Sequence, residues 1–363
     1  MLTFGKTAAE KIRVIDVTLP ADQQLAKMRE GGVGRYYDGA HVFSQIAEYT
    51  NDVSWYEVSE KANSIYIAFI DLATPGGGVQ GPDNFSDGLE VQYFRKNDSE
   101  ARDAIALLAT GAAYTRFNTN DNLIFPDGPT TDWAFSREVA YGINTLLSAK
   151  RVGLFQESDA YFKGLYAELD ALDDNRIIGP SSANIAKQIN DRLVKLYGFA
   201  KGHLNQWFTR STNDNSLYVK PFMVGLTTKS LIEYVENTPE ETDDQELSMI
   251  LRDGLTGMWN NAWVKDRKAF RYIDRIPTNR SKLDPPEQGD QRYPESLLDP
   301  APDLNLLISP AYEWVYQETG DIWFRDRAND IFLGGTQGAF LGGNKQFFEN
   351  YFWSFEQVTG DFT

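Results

Sequence analysis

The sequence predicts an all-α protein built from about six helical hairpins closed into a ring, with its long loops on one face. Three observations predict it. Apolar residues recur with helical spacing along most of the 363 residues. A nearly all-apolar helix is repeatedly followed at once by an amphipathic one. The hinges between the two are short and alike: Asn51-Asp52, Asn97-Asp98 and Gly320-Asp321. A helix that is apolar on every side must be buried, and its amphipathic partner shows one face to water. One such hairpin cannot bury its own apolar face, so the copies must pack on one another.

In chain order, residues 1–18 read as an N-terminal arm, with Ile12-Arg-Val-Ile-Asp-Val-Thr18 alternating weakly like a strand. Asp22 to Arg29 is a short helix closed by Gly31-Gly32. The first hairpin spans 36–72 and the second 86–115, separated by the Gly- and Pro-rich loop 73–84. After a loop with Pro126 and Pro129, the third inner helix runs Phe135 to Ala149. Helical patterns cover Ser158–Leu172 and Asn184–Phe208, and the second is taken as the outer partner. Pro221 suits the first turn of the fourth inner helix, which ends at Val235; Asp244 to Trp263 is its partner. Residues 264–302 hold a β-hairpin or extended piece around Phe270-Arg-Tyr-Ile273 and then turn Pro-rich and aperiodic. A loop of that length in a compact domain is usually functional or unstructured. Leu304–Glu318 with Ile322–Phe332 makes the fifth hairpin. Lys345–Glu356 is the sixth inner helix, and the helix at 22–29 is its natural partner, making residues 1–363 one domain.

Composition narrows the function. The chain has 35 basic and 52 acidic residues, a net charge of −17, which argues against nucleic-acid or membrane partners. It contains no cysteine, so thiol catalysis, thiolate metal sites and disulfides are excluded. With only two histidines, His41 and His203, zinc chemistry lacks ligands, and no metal or cofactor is expected. No apolar run of membrane-spanning length exists, and Met1–Glu10 is not a signal peptide, so a soluble protein is expected, cytoplasmic or secreted with a signal removed. Aromatic residues reach 13%, which fills cores and also stacks on sugar rings. Gly76-Gly77-Gly78 and Gly334-Gly335 lack the strand-loop-helix context of a phosphate loop and read as turns.

The hairpin pattern resembles the (α/α)6-toroid, or six-hairpin, enzymes of carbohydrate metabolism: glycoside hydrolases, unsaturated-uronyl hydrolases and some polysaccharide lyases. The resemblance covers nearly the whole chain and rests on architecture, with no catalytic signature. It implies a poly- or oligosaccharide substrate bound at the inner-helix N-termini, beside the long loops. There the sequence places Asp38, Asp87, Glu90, Glu138 and Asp303. Glycosidic cleavage generally needs two carboxyls, one protonated and one ionised. An acid in a first helical turn also serves as a cap or dipole partner, and for any single one that role is the commoner.

Glu138 is the foremost catalytic candidate because an acid inside an apolar helix needs a partner or a task. Arg137 or Lys220 could pair with it, and Asp38 or Asp87 would oppose it; Asp303 completes the catalytic set. Candidate sugar contacts are Tyr36, Tyr37, His41, Glu90, Trp133, Arg137 and Tyr141, with Tyr218, Lys220, Asn305, Lys345, Tyr351 and Trp353 further along. Under a lyase reading, His41 with Tyr37, Tyr141 or Tyr351 would move the proton and Arg137 would clamp the sugar carboxylate. A third possibility is a toroid that binds glycan without cutting it.

Overall fold

The computed structural model describes residues 2–30, 37–73, 78–116, 134–170, 183–209, 218–238, 244–275, 295–338 and 344–359. It is overwhelmingly helical. Among the described residues the α-helices are α1 (Leu2–Arg13), α2 (Ala21–Glu30), α3 (Gly39–Thr50), α4 (Ser54–Ala73), α5 (Asp87–Lys96) and α6 (Ser99–Gly111). They continue with α7 (Ala134–Arg151), α8 (Asp159–Asp170), α9 (Ile185–Thr209), α10 (Pro221–Asn237) and α11 (Asp244–Ala262). The last are α12 (Ser309–Thr319), α13 (Ile322–Gly338) and α14 (Asn344–Thr359). Two short strands, β1 (Trp263–Val264) and β2 (Ala269–Phe270), pair antiparallel with Trp263 opposite Phe270. Among the described residues no helix is long and apolar enough to cross a membrane.

The hinges explain why these helices come in pairs. Asn51, Asn97 and Gly320 adopt left-handed φ of 53°, 54° and 69°, and each returns its N–H to a carbonyl of the helix it ends. Asn and Gly tolerate that conformation, so a single residue stops the helix. The following aspartate starts the next one. Asp52 accepts from the Ser54 N–H at 3.0 Å, Asp98 from Glu100 at 3.0 Å, and Asp321 from Trp323 at 2.9 Å. One residue that closes and one that caps are all the reversal needs.

By internal contacts the chain forms two compact units. The first holds residues 1–120, 141–196 and 341–352; the second holds 121–140, 197–340 and 353–363. In the first unit α3 packs on α4 and α5 on α6, while α3 also meets α5 and α4 meets α6. Consecutive hairpins therefore stack first helix on first and second on second. The core there includes Phe43, stacked on Trp55 at 6.1 Å and edge-on to Phe348 at 5.5 Å. In the second unit α12 packs on α13, α10 on α12, and α11 on both α10 and α12. Arg327 of α13 holds its guanidinium 4.8 Å from the rings of both Trp259 and Trp323, joining α11 to α13 by cation–π contact.

Two local expectations are corrected. The strand-like arm over residues 12–18 is overturned: α1 runs from Leu2 to Arg13, burying Ala8, Ala9 and Ile12, and packs on α4. The helical spacing of Ala8 and Ile12 outweighs the short alternation after them. The fifth inner helix does not run unbroken from Leu304. Residues Pro302–Leu307 form a 3-10 helix, and the α-helix starts at Ser309 with Pro310 in its first turn. Pro310 has no N–H, and its ring crowds the carbonyl four residues back, so an α-helix cannot extend through it.

Asp71 on α4 gives a pH test of the first unit. Burial, with Glu100 and Asp103 nearby, pushes its carboxyl up to about 6. A folded-state value above the unfolded one means folding favours the protonated form, so the group lowers stability as pH rises through that window. Asp71→Asn is expected to stabilise the protein by about 1–2 kcal/mol near pH 8, after allowing for screening, and to change little near pH 4. Urea midpoints at the two pH values check this; equal effects at both would refute it.

Candidate functional site

In the first unit the starts of α3 and α5 lie together, and Asp38 is what joins them. Tyr37 and Asp38 are buried and take consecutive left-handed conformations, with φ of 58° and 44°. Such backbone costs roughly 1–3 kcal/mol per residue and persists only where the surroundings hold it. Here the Asp38 carboxylate does the holding. Its Oδ1 accepts from the His41 N–H at 3.0 Å, and its Oδ2 accepts from the Gly88 N–H at 2.9 Å. One side chain thus caps both α3 and α5. Glycine is required at 88, because a Cβ there would stand 2.7 Å from Asp38 Oδ1 and 2.8 Å from the His41 nitrogen.

Asp87, half-buried, is the first residue of α5 and precedes the clamped glycine. His41 meets the Phe352 ring edge-on at 4.8 Å, and Gln45 donates to the Phe352 carbonyl at 3.4 Å. Tyr351 is 8% exposed, and burial, with Tyr49 adding to it, pushes its phenol up to about 12. Tyr141 packs against Phe85 at 4.8 Å, and Phe85 in turn lies 6.4 Å from Tyr37.

Glu90 belongs to an internal network. Arg151 grips it at both oxygens, at 2.7 and 2.8 Å, and the Ser148 hydroxyl donates to it at 2.7 Å. Ser86 donates to Ser148 at 2.9 Å. A bidentate arginine on a half-buried carboxylate is among the stronger ion pairs, and it ties α5 to α7.

In the second unit Glu138, 7% exposed and just past the first turn of α7, takes both Nε (3.0 Å) and Nη2 (2.5 Å) of Arg137 on its Oε1. Lys220 precedes α10 and is buried, its ammonium 5.3 Å from the Tyr272 ring and 6.0 Å from that of Tyr218. A cation at the positive end of a helix is disfavoured by the dipole; two aromatic faces offset part of that cost. Asp303 is half-buried in the first turn of the 3-10 segment.

Asn305 is wholly buried and fully engaged. It donates to the carbonyls of Lys268 (2.8 Å) and Ile331 (3.2 Å), and accepts from the Phe270 N–H (3.2 Å). Its geometry is that of a structural knot. Tyr36 and Trp133 lie outside the described residues; Lys345 is in α14, with its side chain likewise outside them.

Among the buried polar residues that escaped the sequence reading are Glu349, Asn350 and Asp274. Glu349 and Asn350 are wholly buried on α14, and Asp274 is 7% exposed, accepting from the Val219 N–H at 2.7 Å. The signal for Glu349 was present: an acid inside Phe347-Phe348-Glu349-Asn350-Tyr351-Phe352-Trp353 has no solvent face to occupy. Among the described residues, no group of three or more histidines and acids could hold a metal ion. No protein-family model matches the chain, and no curated protein or solved structure matches it.

Proposed function

We propose that this chain is a six-hairpin (α/α)6 toroid that cleaves a poly- or oligosaccharide, as a glycoside hydrolase working with paired carboxyls. One observation carries the reading: the Asp38 carboxylate touches the N-termini of both α3 and α5, so two acid-bearing inner-helix starts stand side by side. Short hinges at Asn51-Asp52, Asn97-Asp98 and Gly320-Asp321 support hairpins whose opposite ends form a loop-rich face where a glycan would sit. Strained buried backbone at Tyr37 and Asp38 belongs to the kind of feature that gathers at functional sites.

With Asp38 committed to two amides and Glu90 to Arg151, Asp87 is the carboxyl of the first unit assigned to chemistry, and Glu138 keeps its place as the other candidate from the sequence. Glu138, with the Arg137 guanidinium against it, suits the base or nucleophile role, and Asp87 the proton donor.

The test is a panel of neutral and uronate-containing glycans with products analysed for reducing ends and for ultraviolet absorbance. New reducing ends without absorbance are expected, and Asp87→Asn and Glu138→Gln should each lower kcat by about 10²–10⁴-fold. Absorbing, unsaturated ends would make the protein a lyase. Retention of glycans without cleavage would make it a binding module, and full activity in both variants would remove the carboxylate assignment.

A further inference from the structure

Asp38 is an acid at an inner-helix start, yet its geometry differs from that of a group offered to substrate. Both of its oxygens are spent on backbone amides, 3.0 Å from His41 N and 2.9 Å from Gly88 N, and the residue is 6% exposed. We infer that Asp38 is a positioning residue: it clamps the Asp87–Gly88 peptide against the start of α3 and so sets where the Asp87 carboxyl stands. The inference rests on the reading of Asp87 as a working carboxyl of a glycan hydrolase.

The clamp is tight on both sides. On the Asp38 side, left-handed backbone at Tyr37 and Asp38 turns the carboxylate back over the first turn of α3, where it reaches across to α5. On the α5 side, glycine at 88 lets the peptide approach; a methyl group would meet Asp38 Oδ1 at 2.7 Å, the His41 nitrogen at 2.8 Å and the Ala40 Cβ at 2.9 Å. The carbonyl half of the clamped peptide belongs to Asp87. Any slackening of the clamp therefore moves the Asp87 backbone directly, while the charge of Asp87 stays as it was. A neutral amide cannot replace the carboxylate, because its NH2 group would face one of the two N–H donors.

Misplacement of a reacting group by about 1 Å costs on the order of 10²-fold in rate. Asp38→Asn is accordingly expected to lower kcat by about 10–100-fold while leaving KM within about twofold, since positioning for reaction is lost and ground-state binding is kept. Gly88→Ala keeps every charge and should give the same split; Asp38→Glu, which restores a carboxylate, should recover part of the loss. Amide hydrogen exchange at Gly88 should quicken in Asp38→Asn, while exchange in α6 stays as in the wild type, which shows that the protein is folded.

The outcomes separate. If wild-type protein cuts no glycan, the hydrolase reading fails and this inference with it. If the wild type is active and Asp87→Asn is equally active, Asp38 cannot act through Asp87 and the inference is overturned alone. If Gly88 exchange quickens but kcat holds in both Asp38→Asn and Gly88→Ala, Asp38 is only a structural cap. Should Asp38→Asn fail to fold, the kcat and KM of Gly88→Ala decide.

Discussion

Asn305→Ala is expected to lower the unfolding free energy by about 3–5 kcal/mol, among the largest effects of any single polar substitution in this chain. The side chain serves three backbone groups at once: the carbonyls of Lys268 and Ile331 and the N–H of Phe270. The residue is wholly buried, so alanine strands those groups away from water, at about 1–3 kcal/mol each less what relaxation recovers. For a chain of this size the loss corresponds to a melting point lower by roughly 4–7 °C. Asn305→Asp sharpens the test. An aspartate keeps the acceptor for Phe270 but turns a second oxygen toward two carbonyls, so its charged form is disfavoured in the fold. Its folded pKa then lies above the unfolded value, and the penalty must grow as pH rises through that window. Differential scanning calorimetry of both variants, at acidic and neutral pH, is the measurement. A melting point for Asn305→Ala within about 2 °C of the wild type would show that the knot carries no weight.

The same residue shows what was legible in the sequence and what was not. The hinges could be read directly, because ending a helix at Asn51 or Gly320 and capping the next at Asp52 or Asp321 are chemistries of single residues and their near neighbours. Helix bounds followed from periodicity for the same reason, with α10 and α11 found within a few residues of their observed ends. The partner of Glu138 was legible because it is the adjacent Arg137. Partners distant in sequence were not. Asp38 reaches Gly88 fifty positions away, Glu90 is gripped by Arg151, and Asn305 holds Lys268 and Ile331. First-turn acids with quite different tasks therefore look alike in one dimension. Spacing along a helix says which face a residue shares and nothing about what the facing helix offers, so Asp38, Asp87 and Glu90 could not be told apart until the helices were packed.

Two glycine-to-alanine substitutions should move stability in opposite directions. Gly225, buried in α10, faces the chain entering α12: a Cβ there would lie 2.2 Å from the Leu307 carbonyl oxygen, 2.7 Å from its carbon and 3.0 Å from the Ile308 Cα. All three are backbone atoms, so no rotamer change relieves the overlap, and α10 must move away from the start of α12. Gly225→Ala is expected to cost about 3 kcal/mol, even though alanine is the better helix former by about 1 kcal/mol. Gly202 sits within α9 on an exposed surface, with nothing within 4 Å of where its Cβ would be. There the propensity gain meets no opposition, and Gly202→Ala should stabilise by about 0.5–1 kcal/mol. Urea midpoints of the two variants against the wild type measure both. The pair tests the packing of α10 against the start of α12 more sharply than either variant alone. Alanine brings the same intrinsic preference to each helix, so a difference of sign can come only from what stands opposite. If Gly225→Ala were as stable as Gly202→Ala, the close approach of α10 to Leu307 would be wrong, and with it the packing of α10 on α12 in the second unit.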